Sequence, residues 1–205
     1  MSLGRLILAL LALFLAGAAQ AADLTVVIRD GNGRPVEDAV VMADASGRAA
    51  PPAARFVINQ RNMQFVPYVL VVPVGSTIEF GNLDPFRHHV YSFSPAKKFE
   101  LKLFGQGEKR PVRFDKPGLV SIGCNIHDSM QAFIRVVDTP FARKTDRTGR
   151  VVLRGLPAQV RRLRVYHPRL RAPGNEMVVN VDASRDSSVT VTVKLRRPAP
   201  RHHDY

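Results

Sequence analysis

The sequence has a single cysteine, Cys124, among 205 residues. One cysteine cannot close an intrachain disulfide, so a small disulfide-stapled fold is excluded. Residues 51–138 also lack a sustained 3.6-residue apolar period, which argues against a helical structure there. Its apolar N-terminal stretch, Leu6 to Ala19, is 14 residues long, whereas a membrane-spanning helix needs ~20.

Recognisable pairs of catalytic groups are missing as well. No pair of carboxylates stands out for general acid and base chemistry, and no nucleophile has an obvious neighbouring base. We therefore expect a protein that is not an enzyme.

The N-terminus has the three parts of a secretory signal. Arg5 supplies the charge, Leu6 to Leu15 the apolar region, and Ala19-Gln20-Ala21 the small-residue cleavage site. We expect residues 1–21 to be a signal peptide and the protein to be periplasmic, with no stable membrane insertion after cleavage. Retention as an uncleaved anchor is the alternative.

Acidic residues are scarce relative to basic ones: 17 Asp and Glu stand against 30 Lys and Arg, which gives a formal net charge of +13. Loss of Arg5 with the signal would lower this charge to +12. Export makes nucleic acid an improbable partner for so basic a chain. Acidic protein surfaces and anionic lipid headgroups remain, and a merely solubilising surface is the other interpretation, because the arginines are spread out.

The residues around the cysteine indicate a metal site. Cys124, His127 and Met130 form a Cys-x-x-His-x-x-Met loop, and thiolate, imidazole and thioether are ligands that suit copper. A second imidazole would complete a trigonal His-His-Cys plane with a long axial Met. The segment Asp84 to Val90, at the end of a strand-like run, offers one in His88 or His89. Copper is therefore the expected cofactor.

Two longer stretches resemble the cupredoxin family, and both place these residues at strand ends. The first is Pro73 to Asp84 (PVGSTIEFGNLD), and the second is Val112 to Cys124 (VRFDKPGLVSIGC). The short cysteine loop is similar to that of the amicyanins rather than to the longer loops of plastocyanins or azurins. The resemblance implies a Greek-key β-sandwich with His88, Cys124, His127 and Met130 as copper ligands.

The same resemblance implies a type 1 (blue) copper protein that carries one electron at a time. Its partner would be an acidic redox protein, such as a cytochrome or a dehydrogenase. Copper storage or delivery without electron transfer is the alternative. Phe86 and Ile126 would then line an exposed apolar rim around His127. His89 stands where cupredoxins often have Asn, and only one of His88 and His89 can face the metal because neighbouring strand residues point to opposite faces.

The two ends of the chain resemble a different family. Val27 to Val41 (VIRDGNGRPVEDAVV) looks like the opening hairpin of the carboxypeptidase-regulatory-like β-sandwiches, and Thr145 to Pro168 looks like their later strands. We therefore expect an all-β chain with a cupredoxin-like sandwich inserted in, or followed by, a second smaller β-sandwich. The expected parts are a cupredoxin domain at residues 51–138, a discontinuous second domain at residues 22–48 plus 139–196, and a disordered tail at residues 197–205.

Short strands separated by turn residues are expected throughout residues 51–138, as in an antiparallel sandwich. Only the ligand loop, Asn125 to Met130, is expected to contain a helical turn.

Overall fold

A computed structural model describes residues 21–45 and 48–198 of the chain. The predicted signal peptide, apart from Ala21, and residues 199–205 of the predicted tail lie outside the described residues. Within the described ranges, no helix has the length and apolarity that a bilayer crossing requires.

The chain is all-β, and a 3₁₀ turn at Pro173–Asn175 interrupts the strands. The described residues form these strands: β1 (Ala21–Asp30), β2 (Val40–Ala43), β3 (Arg55–Arg61), β4 (Gln64–Val66), β5 (Val69–Pro73), β6 (Thr77–Asn82), β7 (His88–Ser94), β8 (Lys97–Phe104), β9 (Lys109–Arg113), β10 (Gly118–Cys124), β11 (His127–Val137), β12 (Ala142–Lys144), β13 (Arg150–Pro157), β14 (Arg162–Tyr166), β15 (Glu176–Asn180) and β16 (Ser187–Val193).

The middle of the chain forms one pair of sheets, which we call the central sandwich. Its five-stranded sheet has the order β5-β11-β10-β7-β8, and its four-stranded sheet has the order β4-β3-β6-β9. Apolar residues alternate along the strands, so that every second side chain enters the core. In β10, Val120, Ile122 and Cys124 are buried while Ser121 is exposed. Both sheets therefore contribute to one apolar core.

The two ends of the chain form a second pair of sheets, the flanking sandwich. Its three-stranded sheet has the order β13-β1-β16, and its four-stranded sheet has the order β12-β2-β14-β15. β1 pairs antiparallel with β13 and parallel with β16, and β2 pairs with β12 and β14. The first hairpin thus pairs with strands from the C-terminal part of the chain. The domain boundaries and the carboxypeptidase-regulatory-like resemblance stay predictions.

The two sandwiches meet across a small apolar cluster that joins β2 and β14 to β5 and β11. Its fully buried members are Val40, Met42, Val69, Val137 and Tyr166. An ion pair also joins the two sandwiches: Arg135 Nη2 in β11 lies 2.9 Å from Glu176 Oε2 in β15. The guanidinium of Arg135 lies over the ring of Tyr166, a member of the cluster. Strand β11 therefore belongs to the central sandwich and also contacts the flanking one.

The structure corrects one expectation about local structure. Asn125 and Ile126 form a two-residue turn, and β11 begins directly after it at His127. Cys124 pairs with His127 across this turn. The predicted helical turn within residues 125–130 is therefore wrong, because the ligand loop is the tip of a β-hairpin.

Candidate metal centre

Sheet topology brings the predicted ligands to one edge of the central sandwich. β7 begins with His88 and β10 ends with Cys124, and the two strands are antiparallel neighbours, with Tyr91 opposite Gly123. The start of β7 and the end of β10 therefore share an edge. The two-residue turn returns the chain to the same edge, where β11 begins with His127.

Three of the four predicted ligands form a compact donor cluster. Cys124 Sγ lies 3.9 Å from His88 Nδ1 and 3.8 Å from His127 Nδ1. The donor atoms of these three residues all lie within 4.8 Å of one another. Each nitrogen-to-sulfur separation is shorter than the sum of a metal–nitrogen bond of about 2.0 Å and a metal–sulfur bond of about 2.3 Å. One metal ion can therefore bond to all three residues.

Met130 lies in the core cluster that contains Cys124, and its side chain is buried. Gly123 pairs with Gln131 whereas Cys124 pairs with His127, so one step along β10 corresponds to four along β11. This irregularity interrupts the regular alternation of side chains between His127 and Met130. Axial ligation by Met130 stays a prediction.

His88 is held from the side opposite the cysteine. Its Nε2 lies 2.8 Å from Asp84 Oδ2, and its Nδ1 faces the sulfur. Such carboxylate–histidine pairs fix the tautomer and the orientation of a metal-binding imidazole. The carboxylate of Asp84 also accepts the backbone N–H groups of Asn62 (2.6 Å) and Met63 (3.0 Å). The β3–β4 turn thus orients Asp84, which in turn orients His88.

Electrostatics favour the charged forms of both Asp84 and Cys124. Burial by itself would raise the pKa of Asp84, but hydrogen bonds from Met63, His88 and Asn62 outweigh it and hold this pKa below its usual value. Burial would likewise raise the pKa of the Cys124 thiol. Hydrogen bonds from His88 and from the backbone N–H groups of His89 and Ile126 lower it instead. The sulfur therefore sits where a thiolate, the form that binds metals, is stabilised.

The two histidines of the cluster differ in their environment. His88 is fully buried, and although burial lowers its pKa, hydrogen bonds with Cys124 and Asp84 raise the pKa above the usual value. His127 is partly exposed, and burial together with the nearby His88 lowers its pKa. His127 is thus the member of the cluster nearest to solvent.

An apolar surface surrounds His127, as the sequence predicted. The ring of Phe86 lies 5.8 Å from that of His127 and 5.0 Å from that of His88. Phe86 is 41% exposed, and Ile126 in the turn before His127 is 48% exposed. We call Phe86, Ile126 and His127 the apolar rim.

His89 lies outside the donor cluster. Its Nε2 lies 2.9 Å from Glu100 Oε1 on β8, and its ring stacks obliquely 5.8 Å from Tyr91. Sequence reasoning identified neither Glu100 nor the role of Asp84. The i, i+4 spacing of Asp84 and His88 could have indicated their pairing, whereas the partner of His89 depends on how β7 and β8 align.

Comparisons with known proteins give only partial matches. No protein-family model and no curated protein matches the chain. Among solved structures, the copper-containing nitrite reductase of Thermus scotoductus SA-01 is 31% identical over 47% of this chain and 25% of its own, with a TM-score of 0.40. The chain thus spans about a quarter of that enzyme's length.

Two smaller proteins are matched over nearly their whole length. A purple cupredoxin from Nitrosopumilus maritimus is 19% identical over 56% of this chain and 98% of its own, with a TM-score of 0.34. Amicyanin from Paracoccus versutus is 16% identical over 47% of this chain and 97% of its own, with a TM-score of 0.38. All three TM-scores are below 0.5, so the likeness is partial.

Proposed function

We propose that this chain is an exported type 1 copper protein that carries one electron at a time. The observation that supports the proposal is the cluster of two imidazole Nδ1 atoms and one sulfur within 4.8 Å of one another. Two imidazoles and a thiolate with a nearby methionine are the donor set of blue-copper sites. His88, Cys124 and His127, together with Met130, would hold copper, and the metal would supply the one-electron redox chemistry.

The protein residues keep this donor set in one arrangement. Asp84 fixes the ring of His88, and the sulfur of Cys124 is buried between the two imidazoles, 3.9 Å from His88 Nδ1 and 3.8 Å from His127 Nδ1. An electron carrier benefits from such rigidity, because Cu(I) and Cu(II) prefer different geometries and a fixed site limits the movement between them. No proton has to move and no substrate has to bind for this role, which fits a protein that is not an enzyme.

The apolar rim would be the place where a redox partner docks. His127 belongs to both the donor cluster and the rim, so it offers a short path from the metal to a bound protein. The formal charge of +13, or +12 once Arg5 leaves with the signal, favours encounter with an acidic partner, such as a cytochrome or a dehydrogenase. Export to the periplasm belongs to the same proposal and rests on the N-terminal sequence.

Absorption and EPR spectra of the copper-loaded protein test the metal assignment. We expect an intense sulfur-to-copper charge-transfer band in the wild type and its loss in Cys124→Ser. A wild type that binds Cu(II) with only the weak spectrum of a nitrogen and oxygen site would contradict the proposal.

Retention of copper separates an electron carrier from a storage or delivery protein. A carrier keeps the metal in both oxidation states, so we expect repeated reduction and oxidation in the presence of a Cu(I) chelator to leave the charge-transfer band intact. Electron exchange with an acidic cytochrome should slow with added salt, because salt screens the attraction between the two surfaces. Rapid loss of Cu(I) to the chelator would favour delivery instead.

A further inference from the structure

The flanking sandwich carries more of the positive charge than the central one. Residues 22–48 plus 139–196 contain 16 Lys and Arg against 9 Asp and Glu, whereas residues 51–138 contain 11 against 7. Ion pairs balance part of this surplus, such as that of Arg164 with Asp44 at 2.7 Å. A group of cations without such partners lies in two short segments that pair with each other.

Residues 169–171, after β14, and residues 194–196, after β16, form this antiparallel pair. Leu170 bridges Leu195, and both leucines pack against the core of the flanking sandwich. Two backbone hydrogen bonds of 2.7 and 2.9 Å hold the segments together. The pair is therefore a fixed part of the fold.

The four residues beside the leucines are all basic and face each other in like-charged pairs. Arg169 lies opposite Arg196, and Arg171 lies opposite Lys194. Successive residues of an extended chain point to opposite sides, so these side chains point away from the core and share one surface. Arg197 follows directly and is exposed. We call these five residues the basic cluster. Like charges directly opposite each other destabilise the pairing of two strands.

No carboxylate compensates the charges of the basic cluster. Within residues 21–45 and 48–198, none of its five side chains forms an ion pair. Two of them are held by carbonyl groups nearby: Arg169 Nη1 donates to the carbonyl of Arg196 at 3.3 Å, and Arg196 Nη2 donates to that of Pro168 at 3.0 Å. The fold thus maintains a repulsive arrangement of cations that an external anion would relieve.

The surroundings of the basic cluster fit a phosphate-bearing surface better than a protein partner. The centre of a stable protein interface is apolar, yet Val178 is the only large exposed apolar side chain among the described residues of the flanking sandwich. Four of the five cations are guanidinium groups, which bind phosphate oxygens in pairs. Clusters of four or more basic residues are attracted to anionic lipid headgroups.

We propose that the basic cluster docks the flanking sandwich on a bilayer surface that carries anionic phospholipid headgroups. The contact is electrostatic and reversible, and no part of the chain inserts. Val137, the β11 residue buried against the flanking sandwich, lies at the opposite end of that strand from His127. Docking through the flanking sandwich would therefore leave the apolar rim free for a redox partner. The inference does not depend on the copper assignment.

Sedimentation of the protein with lipid vesicles tests the proposal. The protein without residues 1–21 is used, so that the apolar N-terminus does not bind lipid by itself. We expect binding to vesicles made of equal parts phosphatidylglycerol and phosphatidylcholine, and none to vesicles of phosphatidylcholine alone. Added salt should release the protein, because it screens the attraction between the charges. Absence of binding to the mixed vesicles would overturn the inference.

A double variant, Arg171→Gln with Lys194→Gln, removes one of the like-charged pairs. Each cation close to an anionic surface strengthens binding about 5-fold, so the double variant should bind the mixed vesicles about 10- to 30-fold more weakly. Lys98→Gln with Lys116→Gln is the matched control. It removes the same charge from two exposed lysines of the central sandwich, and it should bind close to wild type.

Urea unfolding of the same proteins provides a measurement that does not involve lipid. Removal of the repulsion between Arg171 and Lys194 should leave the double variant at least as resistant to urea as wild type. This result would also show that weaker vesicle binding does not come from misfolding. A less stable double variant would contradict the like-charged pairing on which the proposal depends.

Two further outcomes would replace the proposal with a different account. Equal weakening of vesicle binding by both double variants would mean that the net charge acts as a whole, as on a merely solubilising surface. Binding to polyglutamate but not to the mixed vesicles would favour an acidic protein as the partner of the basic cluster. Neither outcome affects the proposed copper function, which the absorption and EPR spectra test separately.

Discussion

The two sandwiches differ in where they bury polar side chains. The core of the flanking sandwich is apolar, with Thr139, Thr145 and His167 as buried polar residues at its borders. The central sandwich buries more of them: Gln60, Ser76, Asn82, Asp84, His88, His89 and Ser92. Four of these, Asn82, Asp84, His88 and His89, lie toward the edge where β7 begins. Burying polar groups costs stability unless they are hydrogen-bonded. The edge where the donor atoms converge therefore depends on hydrogen bonds, such as those of Asp84 with His88 and of His89 with Glu100, to offset the cost of burial.

The sharpest test of this comparison uses the two adjacent histidines. We expect His88→Ala to abolish the charge-transfer band, because the cluster loses one of its nitrogen donors, and His89→Asn to keep a coloured site. Absorption spectroscopy after addition of Cu(II) measures both. The reverse pair of results would mean that His89, rather than His88, faces the metal.

The flanking sandwich also buries a histidine, His167, but this residue has a structural role. Burial, followed by the nearby Arg169, lowers its pKa from 6.5 to about 4. Between about pH 4 and pH 6.5, His167 therefore binds a proton in the unfolded chain but not in the folded protein. The contribution of neutral His167 to the free energy of unfolding is fully present above about pH 6.5. It is lost as the pH falls toward about 4, by up to ~3 kcal/mol in total.

Urea unfolding of metal-free protein between pH 7 and pH 4 measures this loss. His167→Asn retains an acceptor for the N–H of Arg169, which bonds to His167 Nδ1 at 3.1 Å, and should show a smaller loss than wild type. The other titrating groups are common to both proteins and cancel in the difference. Equal pH dependence in the two proteins would contradict a neutral, buried His167.

Substitution of Asp84 in the central sandwich should weaken copper binding without abolishing it. Asp84→Asn places an amide N–H₂ group where the carboxylate accepts the backbone N–H groups of Asn62 and Met63. The orientation of His88 is then less well fixed, and we expect copper affinity to fall about 10- to 100-fold. Competition with a copper chelator measures the affinity. Asp115→Asn, which changes an exposed carboxylate paired with Arg113, is the matched control and should bind like wild type.

Removal of the flanking sandwich should have the smallest effect on the copper site. A fragment of residues 51–138 contains the whole donor cluster and all strands of the central sandwich. It should fold and give the same charge-transfer band, although exposure of Val69 and Val137 at the former contact should lower its stability and solubility. Failure of the fragment to bind copper would show that the two sandwiches do not fold independently.

The predictable parts of the structure were those with local sequence signals. Alternating β-branched residues and turn residues predicted most strands of the central sandwich. β4, Gln64–Val66, was missed because three residues are too few to show an alternation. The loop after Cys124 was predicted as a helical turn because ligand spacing carries no information on backbone conformation. The convergence of His88, Cys124 and His127 was predicted by resemblance, whereas their ligation of a metal stays a prediction.

Contacts that depend on strand alignment could not be predicted. Glu100 is 11 residues from His89, and their contact requires the pairing of β7 with β8. The bond from Asp84 to the β3–β4 turn spans more than 20 residues and requires positive φ angles at Asn62 and Met63. Neither requirement leaves a recognisable pattern in the sequence.

Strand β11 gives the molecule a mechanical connection between its two halves. His127 begins the strand and Val137, which contacts the flanking sandwich, ends it. At ~3.3 Å per residue the two ends are at most about 33 Å apart. A pulling force on the flanking sandwich would load this strand along its length. Parallel pairing of β5 with Phe133 to Val137 of β11 would carry part of that load in shear before it reached the donor cluster.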